Sequence, residues 1–253
     1  MIIYLLVALF STIVGAAAGL GGGVIIKPAL DMLGDYNIVT VSVLSSATVL
    51  GMAVTATARQ IHKGFKITNS MVVITTGAVF GGILGSVVFA LIKARIESDA
   101  VTIMQSGILI ALLILCLLYT KLPRFHIKSA IGQIFAGLLL GMLSSFLGIG
   151  GGPINIAILY ILLGFEIRDS AKVSVLIILF AQTAGLMVKA LNGLLYQVED
   201  FSMLFVMIPA AIAGGLIGSS LNIRLPEKVL AFIYKSTVIL VILICIYNIS
   251  VLA

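Results

Sequence analysis

The apolar run from Ile2 to Leu33 is too long to cross a membrane once and too glycine-rich to be one helix. An upright span of a hydrocarbon core about 30 Å thick takes roughly 20 residues. In the middle of this longer run stands Gly19-Leu20-Gly21-Gly22-Gly23, a poor helix interior because glycine has most backbone freedom to lose. The same device returns 129 positions later as Gly148-Ile149-Gly150-Gly151-Gly152. Irregular backbone at membrane depth is tolerated only where it is buried in protein or lines a wet cavity. Two such breaks commit the chain to a polytopic fold in which other helices enclose them.

Composition agrees. The 253 residues are 61% apolar and 9% charged, with a mean hydropathy of +1.29. Soluble domains carry about 25% charge, so a soluble enzyme, a disordered regulator and a nucleic-acid binder are all excluded. The pI of about 9.4 comes from basic residues standing singly between apolar runs, where they set orientation. Cys116 and Cys245 lie far apart inside such runs and have neither disulfide nor metal spacing. No cofactor is expected. Residues Ile2 to Val14, with Ala16-Ala17-Ala18 after them, imitate a signal peptide, yet no Lys or Arg precedes Lys27. The segment is therefore read as part of the mature protein.

Span-length runs recur at roughly 38–58, 69–92, 100–120, 129–147, 173–192, 201–222 and 229–252. Val41-Ser42-Val43-Leu44 reappears as Val173-Ser174-Val175-Leu176. Gly81-Gly82-Ile83-Leu84-Gly85-Ser86 returns as Gly214-Gly215-Leu216-Ile217-Gly218-Ser219, and the offset drifts only from 129 to 133. The chain reads as a duplication: a first repeat over 1–122, a cytoplasmic linker over 123–128 and a second repeat over 129–253.

Charge decides how the repeats are oriented. If each broken segment crossed the bilayer once, the basic residues would divide 7 against 7 between the faces, with Lys235 left in a helix. If each is a re-entrant hairpin, one face collects 11: Arg59, Lys63, Lys66, Lys121, Arg124, Lys128, Arg168, Lys172, Arg224, Lys228 and Lys235. The other keeps 4: Lys27, Lys93, Arg95 and Lys189. The positive-inside rule selects the hairpins. The expected fold is an all-α polytopic membrane protein of two inverted repeats, each a glycine-broken re-entrant helical hairpin followed by three transmembrane helices. Both termini are then extracytoplasmic, in the plasma (inner) membrane.

Each break is followed by a helix-like run whose free N–H groups and positive dipole end point at the glycines. Two such starts converging at mid-depth make an anion site. Candidate binding residues are Gly21, Gly22, Gly23, Val24 and Lys27 in the first half, and Gly150, Gly151, Gly152, Pro153 and Asn155 in the second. Pro153 suits the first helical position, where its missing N–H is no loss. Ser45, Thr48 and Gln182 are expected to line the same pathway, offering hydroxyls and an amide that bind oxygens without trapping charge. Lys27 either binds the ligand, pairs with Asp31 or snorkels outward, and the sequence leaves these open. Ser42 and Ser174 read as helix caps. Arg59, His62 and Lys63 read as orientation charges, and the glycines at 81, 82, 85, 214, 215 and 218 as close helix packing.

The Gly-x-Gly-Gly-Gly break, its apolar continuation and then Pro28-Ala29-Leu30 resemble the signature of the TauE/SafE family of sulfite and organosulfonate exporters. The second copy, Gly148 to Ile158, departs in having Ala157 where Pro28 stands. The resemblance covers nearly the whole chain and implies a plasma-membrane permease for a small sulfur-containing anion. Such a permease works as a secondary carrier with alternating access. An uptake permease for a sulfur compound or an anion channel is the alternative within transport. A membrane-embedded enzyme is the rival from another class, and it finds no histidine in a span and no paired acids. No carboxylate relay and no P-loop is present, so neither proton-pump nor ATP coupling has a candidate. The expected partners are the small anion and the lipid bilayer, not nucleic acid; a homodimer is left open.

Overall fold

The structure is a computed structural model that describes residues 1–118 and 123–252. Residues 119–122, which hold Lys121 and the end of the first repeat, and residue 253 lie outside the described residues. The described residues form α1 (Ile2–Ala18), α2 (Gly23–Leu33), α3 (Ile38–His62), α4 (Asn69–Lys93), α5 (Ser98–Leu118), α6 (Ala130–Leu147), α7 (Gly152–Leu163), α8 (Ile167–Leu191), α9 (Leu204–Arg224) and α10 (Glu227–Leu252). A short 3-10 turn covers Leu194–Gln197. Seven of these helices, α3 to α6 and α8 to α10, are long and apolar enough to cross a membrane, and they match the seven span-length runs. Phe135, Leu191 and Phe205 are among the large apolar side chains left exposed, as a lipid-facing surface requires.

The expected helix starts carry side-chain caps: Asn37 accepts from the Thr40 amide, Thr68 from Met71 and Ser129 from Gly132. Each glycine break has the same run of positive φ. In the first, Gly19, Gly21 and Gly22 have φ of 73, 76 and 54°; in the second, Gly148, Gly150 and Gly151 have 65, 78 and 71°. Side chains with a Cβ rarely adopt such angles. Three glycines at these positions therefore end one helix and start the next within a few residues.

Both broken segments fold back on themselves. The Tyr4 hydroxyl near the start of α1 donates to Asp35 just after α2, and the Tyr4 and Tyr36 rings lie 5.8 Å apart. Before α6, the Phe125 and Ile127 amides donate to the carbonyls of Ile161 and Leu162 at the end of α7, at 2.6 and 3.0 Å. The start and end of each segment thus lie together, with the glycines at the far tip.

The helices interlock across the halves. α4 lies along α6, α1 along α9 and α5 along α10. Small residues permit the approach: a Cβ at Gly77, Gly81 or Gly85 would collide with the α6 carbonyls of Ile134, Leu138 or Met142, and one at Gly218 with that of Ile13. This is the close packing expected for the mid-span glycines. α3 and α8 are the most enclosed of the seven long helices and run in opposite directions, so that Ser42 meets Lys189 at one end while Gln60 and Arg168 border one cavity at the other.

Candidate functional site

The two glycine tips meet. A Cβ on Gly23 would strike the Ile149 carbonyl, and one on Gly152 would strike that of Leu20. Gly21 and Gly150 lie opposite each other's carbonyl oxygens, at 3.9 and 3.5 Å from the same hypothetical atom. Glycine is needed here for backbone-to-backbone contact between the tips as well as for positive φ. Side chains from the two central helices fasten each tip: Ser45 donates to the Gly148 carbonyl at 2.9 Å, and Ser174 to that of Gly19 at 3.0 Å. Ser174, expected to be a cap, therefore belongs to this contact.

Around the second tip the structure gathers buried charge. The Lys27 ammonium, 3% exposed, donates to Gln105 Oε1 at 2.6 Å and to Asp31 at 3.4 Å. Gln105 in turn donates from Nε2 to the Phe146 carbonyl at 2.6 Å, tying α5 to the end of α6. A Cβ on Gly148 would stand 2.8 Å from Ser42 Oγ and 3.5 Å from Lys27 Cδ and Cε. Lys189 reaches the same point from the other side. It is 1% exposed, donates to Ser42 Oγ at 2.7 Å and Ser46 Oγ at 3.2 Å, and sits 5.6 Å from the Phe89 ring centroid. Among the described residues no carboxylate forms an ion pair with it. Two ammonium groups thus approach Ser42 and Gly148, and the one carboxylate paired with either is Asp31 on Lys27.

An unpaired ammonium withdrawn from water costs several kcal/mol, so its hydroxyl partners alone leave it short of a counter-charge. Ordinary structural lysines in membranes escape to the interface; Lys189 does not. Its counting as an orientation charge is corrected here. Third from the end of α8, it looks interfacial in sequence, but α8 lays that end against the start of α3. Ser42 likewise is no cap; the Asn37 side chain performs that role. Gln105 and Ser46 were also missed, although a lone amide in the apolar run of α5 was a legible signal.

The remaining candidates divide. Asn155 is fully buried and neither polar atom of its side chain has a partner among the described residues; its Oδ1 faces Gly151. Such orphans are rare in packed interiors and mark places where a ligand completes the bonding. Gln182 donates to Ser144 Oγ at 2.9 Å and to its carbonyl at 3.1 Å, beside the second break. Thr48 donates only to the Leu44 carbonyl of its own helix, at 2.7 Å. Pro153 stands in the first turn of α7 as expected, and its carbonyl accepts from Tyr234 at 3.2 Å. Val24 is buried within the first turn of α2. Pro28 lies inside α2, and the carbonyl it presents accepts from Asn248 at 2.9 Å.

The two ends of this core differ. At one, Tyr36 donates to Asp200 at 3.1 Å, the Asn37 amide to Glu199 at 3.1 Å and the Asn37 side chain to the Gln197 carbonyl at 3.2 Å. At the other, a cavity of about 440 Å³ opens among Gln60, Lys63, Arg168 and Asn222. A crevice of about 20 Å³ shares Arg168 and Asn222 with it and runs on to Ala17 and Ala18, immediately before the first break.

Comparison with known proteins gives the family. The model of the sulfite exporter TauE/SafE family matches residues 4–247. The probable membrane transporter protein MamO of Paramagnetospirillum magneticum is 32% identical over 120 residues, 46% of this chain but 18% of MamO. MamO of Magnetospirillum gryphiswaldense is 31% identical over the same length and again matches across 18% of its own chain. The probable membrane transporter protein YunE of Bacillus subtilis is 22% identical over 95% of both chains. With the family model covering nearly all of its helices, the chain belongs to the TauE/SafE sulfite exporter family.

Proposed function

We propose that this protein is a plasma-membrane permease that exports a small sulfur-containing anion, sulfite or an organosulfonate, by alternating access. One observation carries the reading: two buried ammonium groups, Lys27 paired with Asp31 and Lys189 with no carboxylate among the described residues, gathered at the backbone of a glycine break. A bound anion supplies the missing charge, and Ser42, Ser46 and Gln105 supply polar partners for its oxygens. Asn155 and Gln182 serve the same ligand beside the other face of the break. The glycines at 21–23 and 150–152 let the two tips slide and reseal without side chains in the way. Family membership and the relatives' names, probable membrane transporters, support the transport class.

The repeats are inverted in this account. Each broken segment returns to the face it left, so the first repeat, 1–122, and the second, 129–253, have opposite senses and both termini are extracytoplasmic. The end bearing Lys63 and Arg168 then faces the cytoplasm and is open, while the end bearing Tyr36 and Asp200 is closed. Export of an anion runs with the negative-inside potential, worth about 2.3 kcal/mol per charge per 100 mV. No enzymatic step is part of the account.

The test is electrical. A sulfite or ethanesulfonate jump on the cytoplasmic side of protein adsorbed on a solid-supported membrane should give a transient current that an equal chloride jump does not. Equal responses to all three anions would make the protein an unselective anion channel and end the carrier reading.

A further inference from the structure

The cavity at the open end carries a chemistry of its own. Lys63 and Lys66 from the α3–α4 connection and Arg168 and Lys172 from the first turns of α8 all border it. Facing acids are few: Asp169, half-exposed, binds Lys172 at 2.9 Å, and Glu227 borders the adjoining crevice. Two polar groups at its wall are unmatched. Gln60 is 5% exposed and its amide makes no hydrogen bond to a described residue, its Oε1 being buried without a partner. Arg168 spends one nitrogen on the Leu225 carbonyl at 3.0 Å, while its Nε–H is buried and has no partner among the described residues. The Arg168 Nε–H left unbonded among four cations calls for a ligand with several acceptor oxygens and negative charge, to which the Gln60 amide donates through Nε2.

We infer that this cavity is a second oxyanion-binding site, separate from the Lys27–Lys189 centre and placed to load it. α3 is 25 residues long, and Ser42 and Gln60 lie 18 residues apart along it, a separation of about 27 Å at 1.5 Å per residue. The two sites therefore cannot share one small anion. The crevice through Arg168 and Asn222 leads from the cavity toward the first break, where Asn222 donates to the Ala17 carbonyl at 2.6 Å. The loading role rests on the permease reading; the binding site does not. The ligand is a compact group with several anionic oxygens, either free in solution or the headgroup of an anionic lipid.

The experiment measures binding apart from transport. Cys116 and Cys245 are buried and free, so a thiol-reactive fluorophore reports unfolding of protein held in phosphatidylcholine nanodiscs. Sodium sulfate, at about ten times its dissociation constant and matched to sodium chloride in ionic strength, should raise the melting midpoint by about 3 °C. The shift should be markedly smaller in the exposed double variant Lys63→Gln/Lys66→Gln and in Arg168→Gln, and persist in Lys189→Gln. A shift produced only when phosphatidylglycerol is added, and lost in the same variants, assigns the site to a headgroup. No shift in either lipid, or one undiminished in the cavity variants, overturns the inference. Flux separates the two claims: a sulfate shift without flux of any sulfur anion removes the permease and keeps the site, and flux without a shift does the reverse.

Discussion

At the scale of single residues the account turns on Lys189. It is the one buried lysine without a carboxylate among the described residues, so neutralising it removes the charge that an anion would answer. Lys189→Gln should lower sulfite flux by at least about tenfold, as losing a charge-assisted contact of about 1.5–3 kcal/mol implies. The variant should keep its melting midpoint or gain in it, because an unpaired buried charge has gone. A second prediction concerns Gln105, which bridges Lys27 to the Phe146 carbonyl. Gln105→Leu should destabilise the protein by about 1–3 kcal/mol in a denaturant titration, since it strands a buried donor and a buried carbonyl together. Lys27 was legible in the sequence because it follows a glycine break within an apolar run. Lys189 was not, because its burial is decided by how α8 lies on α3, and no local pattern records that.

Among the elements, the hairpins were the most legible. The duplicated glycines announced both breaks, and the structure repeats their positive-φ path residue for residue. That the two breaks would converge was expected; what the sequence hid is how closely, backbone against backbone, so the glycines serve the hairpins' mutual packing too. Substitution at a tip therefore has two effects. At Gly151, φ is 71° and a Cβ would lie 3.0 Å from Asn155 Oδ1 and 3.1 Å from Ser144 Cβ. Gly151→Ala should cost about 1–2 kcal/mol in stability from the left-handed backbone alone, measurable as a lower melting midpoint, and should also slow flux by displacing Asn155. Gly107, where a Cβ would meet nothing within 4 Å, is the control; Gly107→Ala should leave flux unchanged and stability equal or slightly higher.

For the molecule as a whole, one end is latched and the other open. The latch has a pH window. Hydrogen bonds from Ser202 hold the Asp200 carboxyl below its ordinary value of 3.8, so its contribution is present above that pH and is lost as pH falls through the lowered value. Burial, and then the hydrogen bond to Asp200, raise Tyr36 above 10.0, so its contribution is present below pH 10 and is lost as pH rises through the raised value. The protection of amides in residues 34–37 and 198–203, taken as their exchange rate relative to that of an unfolded chain at the same pH, should therefore hold between about pH 4 and pH 10 and fall outside; a loss of protection near neutrality would contradict the assignment. The seven long helices were legible from hydropathy, but their partners were not. That α1 lies on α9 and α4 on α6 depends on which small-residue faces fit, a property of pairs. The most direct measurement of the central claim is efflux of labelled sulfite from proteoliposomes with the membrane potential clamped, for the wild type and Lys189→Gln side by side. Potential-sensitive efflux that chloride does not inhibit is expected in the wild type, reduced to near the protein-free rate in the variant. Equal efflux from a correctly folded Lys189→Gln protein would contradict that claim.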